Sequence, residues 1–204
     1  MEEKSLKLFS NTAFIFEIIK ILLLTYGKSN AIRLKLRFKD STILRPLIVS
    51  ISNINNIHIC KNVFIHAGLI LRILDDCKLL IGEDTYIGPN THISGTKGII
   101  TIGKKVMIAD NVLISTVEHG YKDVMIPIKD QDDASKGNIM ISDGSWIGQG
   151  SIIMSGVIVG KNSVIGANSV VTHDVPPFAV AAGSPARIIK QYNTTQKKWL
   201  NKDI

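Results

Sequence analysis

Along the C-terminal half of the chain an aliphatic residue returns at every sixth position: Ile141, Ile147, Ile153, Val159, Ile165 and Val171. Four residues after each stands Ser145, Ser151, Val157, Ser163, Ser169 or Val175, all small or β-branched. The third place after each holds Gly144, Gly150, Gly156, Asn162, Asn168 or Asp174, residue types that tolerate a left-handed backbone. The same frame opens earlier at Ile59 and Ile65, Ile81 and Ile87, and Ile102 and Ile108, with Asn62, Gly68, Asp84, Asn90, Lys105 and Asn111 in its third places. A period of six does not fit an α-helix, whose interior also disfavours Gly, Asn and β-branched residues. It predicts a short strand and a sharp corner, with three such units closing a triangular coil of about 18 residues. The aliphatic residue and the small residue point inward, and coils stack at roughly 4.8 Å with hydrogen bonds from coil to coil. One coil cannot bury its own face, so stability comes from stacking. The fold class is all-β, a parallel β-helix.

Breaks in the frame locate the remaining parts. Ile81 to Ile102 is 21 residues, one coil plus three. The coil opened by Ile102 should end near His119, yet the frame resumes at Ile141. Residues 120–140 are therefore read as an inserted loop, and a long excursion from a rigid scaffold is where function concentrates. Residues 1–45 read as an N-terminal helical segment ending in a basic stretch, Arg33, Lys35, Arg37 and Lys39, and Pro46 marks its end. The β-helix is expected over 46–187, closed near Pro185, and residues 188–204 read as a short polar helix or tail.

Composition narrows the class of protein. The chain has 204 residues, 45% hydrophobic and only 6% aromatic, which suits repetitive β-structure. Its net charge of +7 is scattered, and no nucleic-acid module signature accompanies it, so nucleic acid is not an expected partner. Cys60 and Cys77 match no zinc or redox spacing and read as free thiols of a reducing compartment. The apolar run 13–24 is interrupted by Glu17 and Lys20, too short and too charged to span a bilayer. No signal-peptide layout precedes it, and the expected location is cytoplasmic. The run fits either a cap on the end of the β-helix or a peripheral contact at the inner face of the membrane, where Arg33, Lys35 and Arg37 would meet anionic lipid.

Several segments resemble the hexapeptide-repeat acyltransferases, specifically the polysaccharide and lipopolysaccharide O-acetyltransferases. They are Ile108–Ser115 leading to His119-Gly120-Tyr121, Pro127-Ile128, Trp146-Ile147-Gly148, Ile165–Thr172, and Val175-Pro176-Pro177 running to Ala182–Arg187. The resemblance covers roughly residues 57–190. It implies a left-handed β-helix that assembles as a homotrimer, with acetyl-CoA as donor between neighbouring subunits and a sugar or glycan acceptor, and no metal.

Acetyl transfer to a hydroxyl needs a base, and imidazole suits it because its ordinary pKa of about 6.5 lies near working pH. The resemblance makes His119 that base; without it, His119 would read as a surface histidine at a turn. Relatives often carry a second histidine where this chain has Val117, so the orienting partner of His119 is expected from elsewhere, with Glu118 facing the other way on an extended backbone. Asn90 and His92 are placed toward the acceptor, although Asn90 also holds a corner position. Trp146 stands as a wall of the site or as a contact between subunits. For CoA the resemblance points to Gln149, Ala167, Thr172, His173 and Arg187, the last as a cation for the nucleotide phosphates or a plain surface charge. A zinc lyase of the same scaffold would need three converging histidines, and the five present show no such pairing. Serine acetyltransferase and a non-catalytic β-helix scaffold are the alternative readings.

Overall fold

In the computed structural model, which describes residues 30–46 and 48–202, the six-residue frame becomes short strands turned by tight corners. The strands stack into three sheets. The first begins at Thr42–Ile43 and passes through Phe64–Ile65, Met107–Ile108 and Trp146–Ile147 to the C-terminal strands. The second holds Ile48–Ile51, Ile70–Ile73, His92–Gly95, Leu113–Ser115, Ile152–Ile153 and Val170–Val171. The third runs from Ile57–Ile59 to Ile158–Val159. Neighbouring coils pair in parallel, with bonds such as Met107 N–H to Ser145 O and Trp146 N–H to Ser163 O, both 2.9 Å. The molecule is a left-handed parallel β-helix.

Inside the prism each ladder is a stack of aliphatic side chains, mostly isoleucine. Ile87, Ile108, Ile147 and Ile165 line the first sheet, and Ile93, Ile114, Ile153 and Val171 the second, all buried. The small positions are buried too, because their hydroxyls find carbonyls of the next coil: Ser145 Oγ donates to Gly160 O at 2.9 Å and Ser163 Oγ to Pro176 O at 2.7 Å. A buried hydroxyl without such a partner would cost free energy, so serine is tolerated here only through that bond. At the corners the frame's third residues take positive φ, from Asn62 at 59° to Asn168 at 56°. Asp174 departs from this, and its carboxylate accepts the Ile158 N–H at 2.8 Å instead. The two cysteines are free; Cys60 is exposed, and burial pushes the Cys77 thiol up to about 11.

Coil length is not uniform. Phe64 stands opposite Tyr86 and Tyr86 opposite Met107, steps of 22 and 21 residues, whereas Trp146 to Val164 is a step of 18. The extra residues collect at one corner, between the second and third sheets, at 52–56, 74–77 and 96–98. The long loop leaves from that same corner after Ser115 and re-enters at Ile139. It starts before the expected Gly120, yet Thr116 still belongs to the coil: its N–H meets Ser94 O and its hydroxyl Lys97 O, each at 3.1 Å.

Further elements flank the β-helix at each end. Residues 30–37 are helical and seat Leu34 fully buried in the core, with Arg37 donating to Asn55 Oδ1 at 3.1 Å. The expected run 13–24 lies outside the described residues. Among these, no helix is long and apolar enough to cross a membrane. The C-terminal end differs from the expected helix or tail. Ala179–Gly183 joins the first sheet, Ala186–Asn193 runs back antiparallel to it, and Lys198–Asn201 pairs in turn. Ile188, Ile189, Tyr192, Trp199 and Leu200 favour a pleated surface over a polar helix, and Tyr192 meets Trp199 edge-on at 5.4 Å.

Candidate active site

Alternation along each short strand sends one residue in and the next out. On the second sheet the outward residues beside the buried ladder form a column in register, Arg72, Ser94 and Ser115, continued by Met154 and Thr172. Ser94 Oγ and Ser115 Oγ bond at 3.0 Å, and Ser115 Oγ accepts the Val117 N–H at 3.1 Å. The chain thus leaves the coil from the middle of this column, and His119 follows four residues later.

The loop is folded on itself. His119 and Asp133 face each other in an antiparallel bridge, with Gly120 N–H to Asp132 O at 3.0 Å and Ala134 N–H to Glu118 O at 2.9 Å. This sets Nδ1 of His119 at 3.6 Å from Asp133 Oδ1, with no hydrogen bond to Nε2 among the described residues and the imidazole side chain 68% exposed. Glu118 turns the other way, as the extended backbone requires, toward Lys136 at 3.9 Å. Farther out, Gln131 is the staple: its amide donates to the carbonyls of Asp123 and Ile126, both at 2.8 Å, and accepts the Asp123 N–H at 3.2 Å. Beside it lies an open hollow of about 440 Å³ bounded by Gly120, Lys122, Ile126 and Asp132. The tip residues Val124 and Met125 are bare to solvent.

Asp133 is the partner that sequence reasoning missed. The signal was a carboxylate-rich stretch, Asp130 to Asp133, in a loop opened by a histidine. Spacing alone could not single out one of its members.

The other candidates fall on different parts of the prism. Asn90 holds a corner at φ 56° and crowds against Gly68 of the coil below. His92 points outward on the second sheet, half-buried, with its Nε2 enclosed and without a hydrogen-bond partner among the described residues. Burial, helped by the Arg72 charge, holds its pKa below the usual imidazole value. Trp146 stands on the first sheet, a different face, in an outward apolar ladder of Phe64, Tyr86, Met107, Trp146 and Val164. Phe64 and Tyr86 stack at 5.7 Å there. Gln149 and Ala167 sit one above the other at the corner that leads into the second sheet, joined by Asn168 N–H to Gln149 O at 2.8 Å. Thr172 and His173 close that sheet, with Thr172 Oγ1 and His173 Nδ1 at 2.9 Å. Arg187 is paired opposite Ala182, which lies over Gly166, so the hairpin brings it to the same corner as Ala167. Gln149, Ala167, Thr172, His173 and Arg187 therefore share one side of the prism, and His119 stands at the loop rising from it.

Residues 138–173 match the bacterial transferase hexapeptide model (six repeats). The galactoside O-acetyltransferase of Escherichia coli (strain K12) is 38% identical over 127 residues, 60% of this chain. The chain spans only 61% of that relative's length. The putative lipopolysaccharide biosynthesis O-acetyl transferase WbbJ of the same organism is 31% identical over 156 residues, 73% of this chain and 79% of the relative. The chain belongs to the hexapeptide-repeat acyltransferase family. Among solved structures of the family, the hexapeptide-repeat-containing acetyltransferase VCA0836 from Vibrio cholerae O1 biovar eltor, complexed with acetyl coenzyme A, is 33% identical. Its TM-score is 0.50, over 57% of this chain and 63% of that one.

Proposed function

We propose that this protein is a sugar O-acetyltransferase that carries the acetyl group of acetyl-CoA to a hydroxyl in surface polysaccharide or lipopolysaccharide biosynthesis. The observation that supports the reading is His119, held against Asp133 at the root of a folded loop, with its imidazole largely exposed. Acetyl-CoA supplies the acetyl group as a thioester. Gln149, Ala167, Thr172 and His173 form the wall along which its extended arm lies, and Arg187 offers a guanidinium to its phosphates. His119 Nε2 takes the proton of the acceptor hydroxyl as the new ester bond forms. The thioester C–S bond breaks, and the same proton passes to the departing sulfur, so one imidazole serves both halves of the transfer. Asp133 fixes the ring and stabilises it while it carries the proton.

The bare apolar ladder around Trp146 is the contact between copies of the chain in a homotrimer, which brings a neighbour's surface over the exposed His119 and excludes water. Asn90 and His92 border the acceptor in this arrangement.

The test is CoA thiol release from acetyl-CoA with a panel of sugars, nucleotide-sugars and serine, wild type against His119→Ala. Acceptor-dependent release that falls by about 10²–10⁴ in the variant supports the base assignment and names the acceptor class. A wild type that does not bind acetyl-CoA overturns the reading.

A further inference from the structure

Below Ser115 the outward column of the second sheet changes character. Ser94 is almost fully buried, and one coil down Arg72 is exposed, with no ion pair or side-chain hydrogen bond among the described residues. Between them opens a cavity of about 150 Å³ lined by Arg72, Leu74, Ser94, Gly95, Thr96 and Val117. Thr96 Oγ1 is buried at its wall and has no hydrogen-bond partner among the described residues. A buried hydroxyl left unpaired is costly, and in native proteins such a group is usually answered by water or a ligand. The cavity has the volume of about five water molecules, room for a carboxylate or phosphate group with its attached carbon and too little for a whole sugar ring. The nearest carboxylate along the loop, Glu118, is directed to Lys136 and does not compensate Arg72.

Position ties the cavity to the chemistry. Val117, two residues before His119, forms part of its wall. Arg72 lies two coils below Ser115, roughly 10 Å at the inter-coil spacing. A saccharide whose hydroxyl meets His119 Nε2 therefore lies down the second sheet, away from the Thr172 side, with its next substituents over Ser94 and Arg72.

We infer that this cavity receives an anionic substituent of the acceptor, a carboxylate or phosphate on the reacting sugar or its neighbour. Arg72 is its cation, and Thr96 is a hydroxyl donor. Guanidinium and hydroxyl together match a planar or tetrahedral oxyanion and offer a neutral sugar nothing of comparable strength. The inference rests on the sugar acceptor proposed above and makes that acceptor acidic.

Binding without turnover separates the two claims. Ligand-observed NMR would compare trigalacturonate, its neutral methyl ester, galactose and galactose 6-phosphate on the wild type, R72Q, R72K and T96V. The wild type is expected to bind at least one anion tenfold or more tighter than its neutral counterpart. Preference for trigalacturonate names a carboxylate, and preference for the phosphate names a phosphoryl group. R72Q brings the ratio to within twofold of unity, R72K keeps most of it, T96V lowers it severalfold, and added salt weakens it. Equal binding of charged and neutral probes by the wild type, or a preference that survives R72Q, overturns the inference whatever the turnover assay gives. A preference that depends on Arg72 in a protein that acetylates no acceptor leaves the anion site standing and removes the acetyltransferase reading instead.

Discussion

Replacing Asp133 by Asn keeps the size and the backbone bridge of the residue while removing the charge that faces His119. At the observed 3.6 Å, two unit charges attract by roughly 1.2 kcal/mol in bulk water and roughly 4.6 kcal/mol at an effective dielectric of 20. The side chains are 68% and 37% exposed, which puts the pair near the screened end, where exposed pairs contribute about 0.2–1 kcal/mol. The attraction exists only while the imidazole holds a proton, so its loss falls on the chemical step. About 1 kcal/mol is roughly fivefold in rate, and a site covered by a neighbouring chain could raise that to about thirtyfold. The expected result is a kcat lowered about 5- to 30-fold in D133N with KM for acetyl-CoA little changed, read by continuous thiol release. A kcat within twofold of wild type would remove Asp133 from the mechanism. A collapse as deep as that of His119→Ala would mean that Asp133 holds the loop itself together, which far-loop proteolysis would then reveal.

Two further outcomes are expected of single substitutions and of pH. His92 has its pKa held below the usual 6.5, first by burial and then by Arg72; the unfolded chain therefore takes up this proton first as pH falls, and His92 costs the fold stability from about pH 6.5 downward toward its folded pKa. Its imidazole resonance should titrate with a midpoint below 6.5 and move up in R72Q, and a midpoint at or above 6.5 would contradict the enclosed environment. Met107→Glu places a charge in the middle of the bare apolar ladder of the first sheet, where Met107 is 55% exposed in the single chain. The β-helix should stay folded by circular dichroism while light scattering shows the mass of the proposed trimer lost, and a mass equal to that of the wild type would remove this ladder as the proposed subunit contact.

The six-residue frame was legible because each inward position of a stacked coil meets another aliphatic or small side chain above and below, so the physical demand repeats at each turn. Ile108, Ile147 and Ile165 read as inward and are; even Lys105, a poor candidate for a left-handed corner, takes φ 53° where the frame puts it. What a repeat cannot report is whatever happens once. The pairing of His119 with Asp133 depends on the path of one loop, and several carboxylates in it were equivalent by spacing. The alignment of Arg72 with Ser94 was hidden by the extra residues at 74–77, which break the count between their coils while leaving the sheet in register. The C-terminal strands were misread because Lys190, Gln191, Asn193 and Lys198 give the segment a polar face, although Ile188, Tyr192, Trp199 and Leu200 commit it to a sheet.

The reversal of chain direction after Gly183 has a consequence for assembly. A parallel solenoid that simply stopped would offer its last coil as a template, three edges of unpaired amides and carbonyls ready to seat the first coil of another molecule and grow into a fibre. Here the first sheet ends in two antiparallel strands of the chain itself, with Lys198 near the rim, and at the opposite end the helix carrying Leu34 lies over the first turns. The hairpin closes the first sheet's C-terminal edge and the helix covers part of the first turns, so both features oppose end-to-end stacking of one molecule on another.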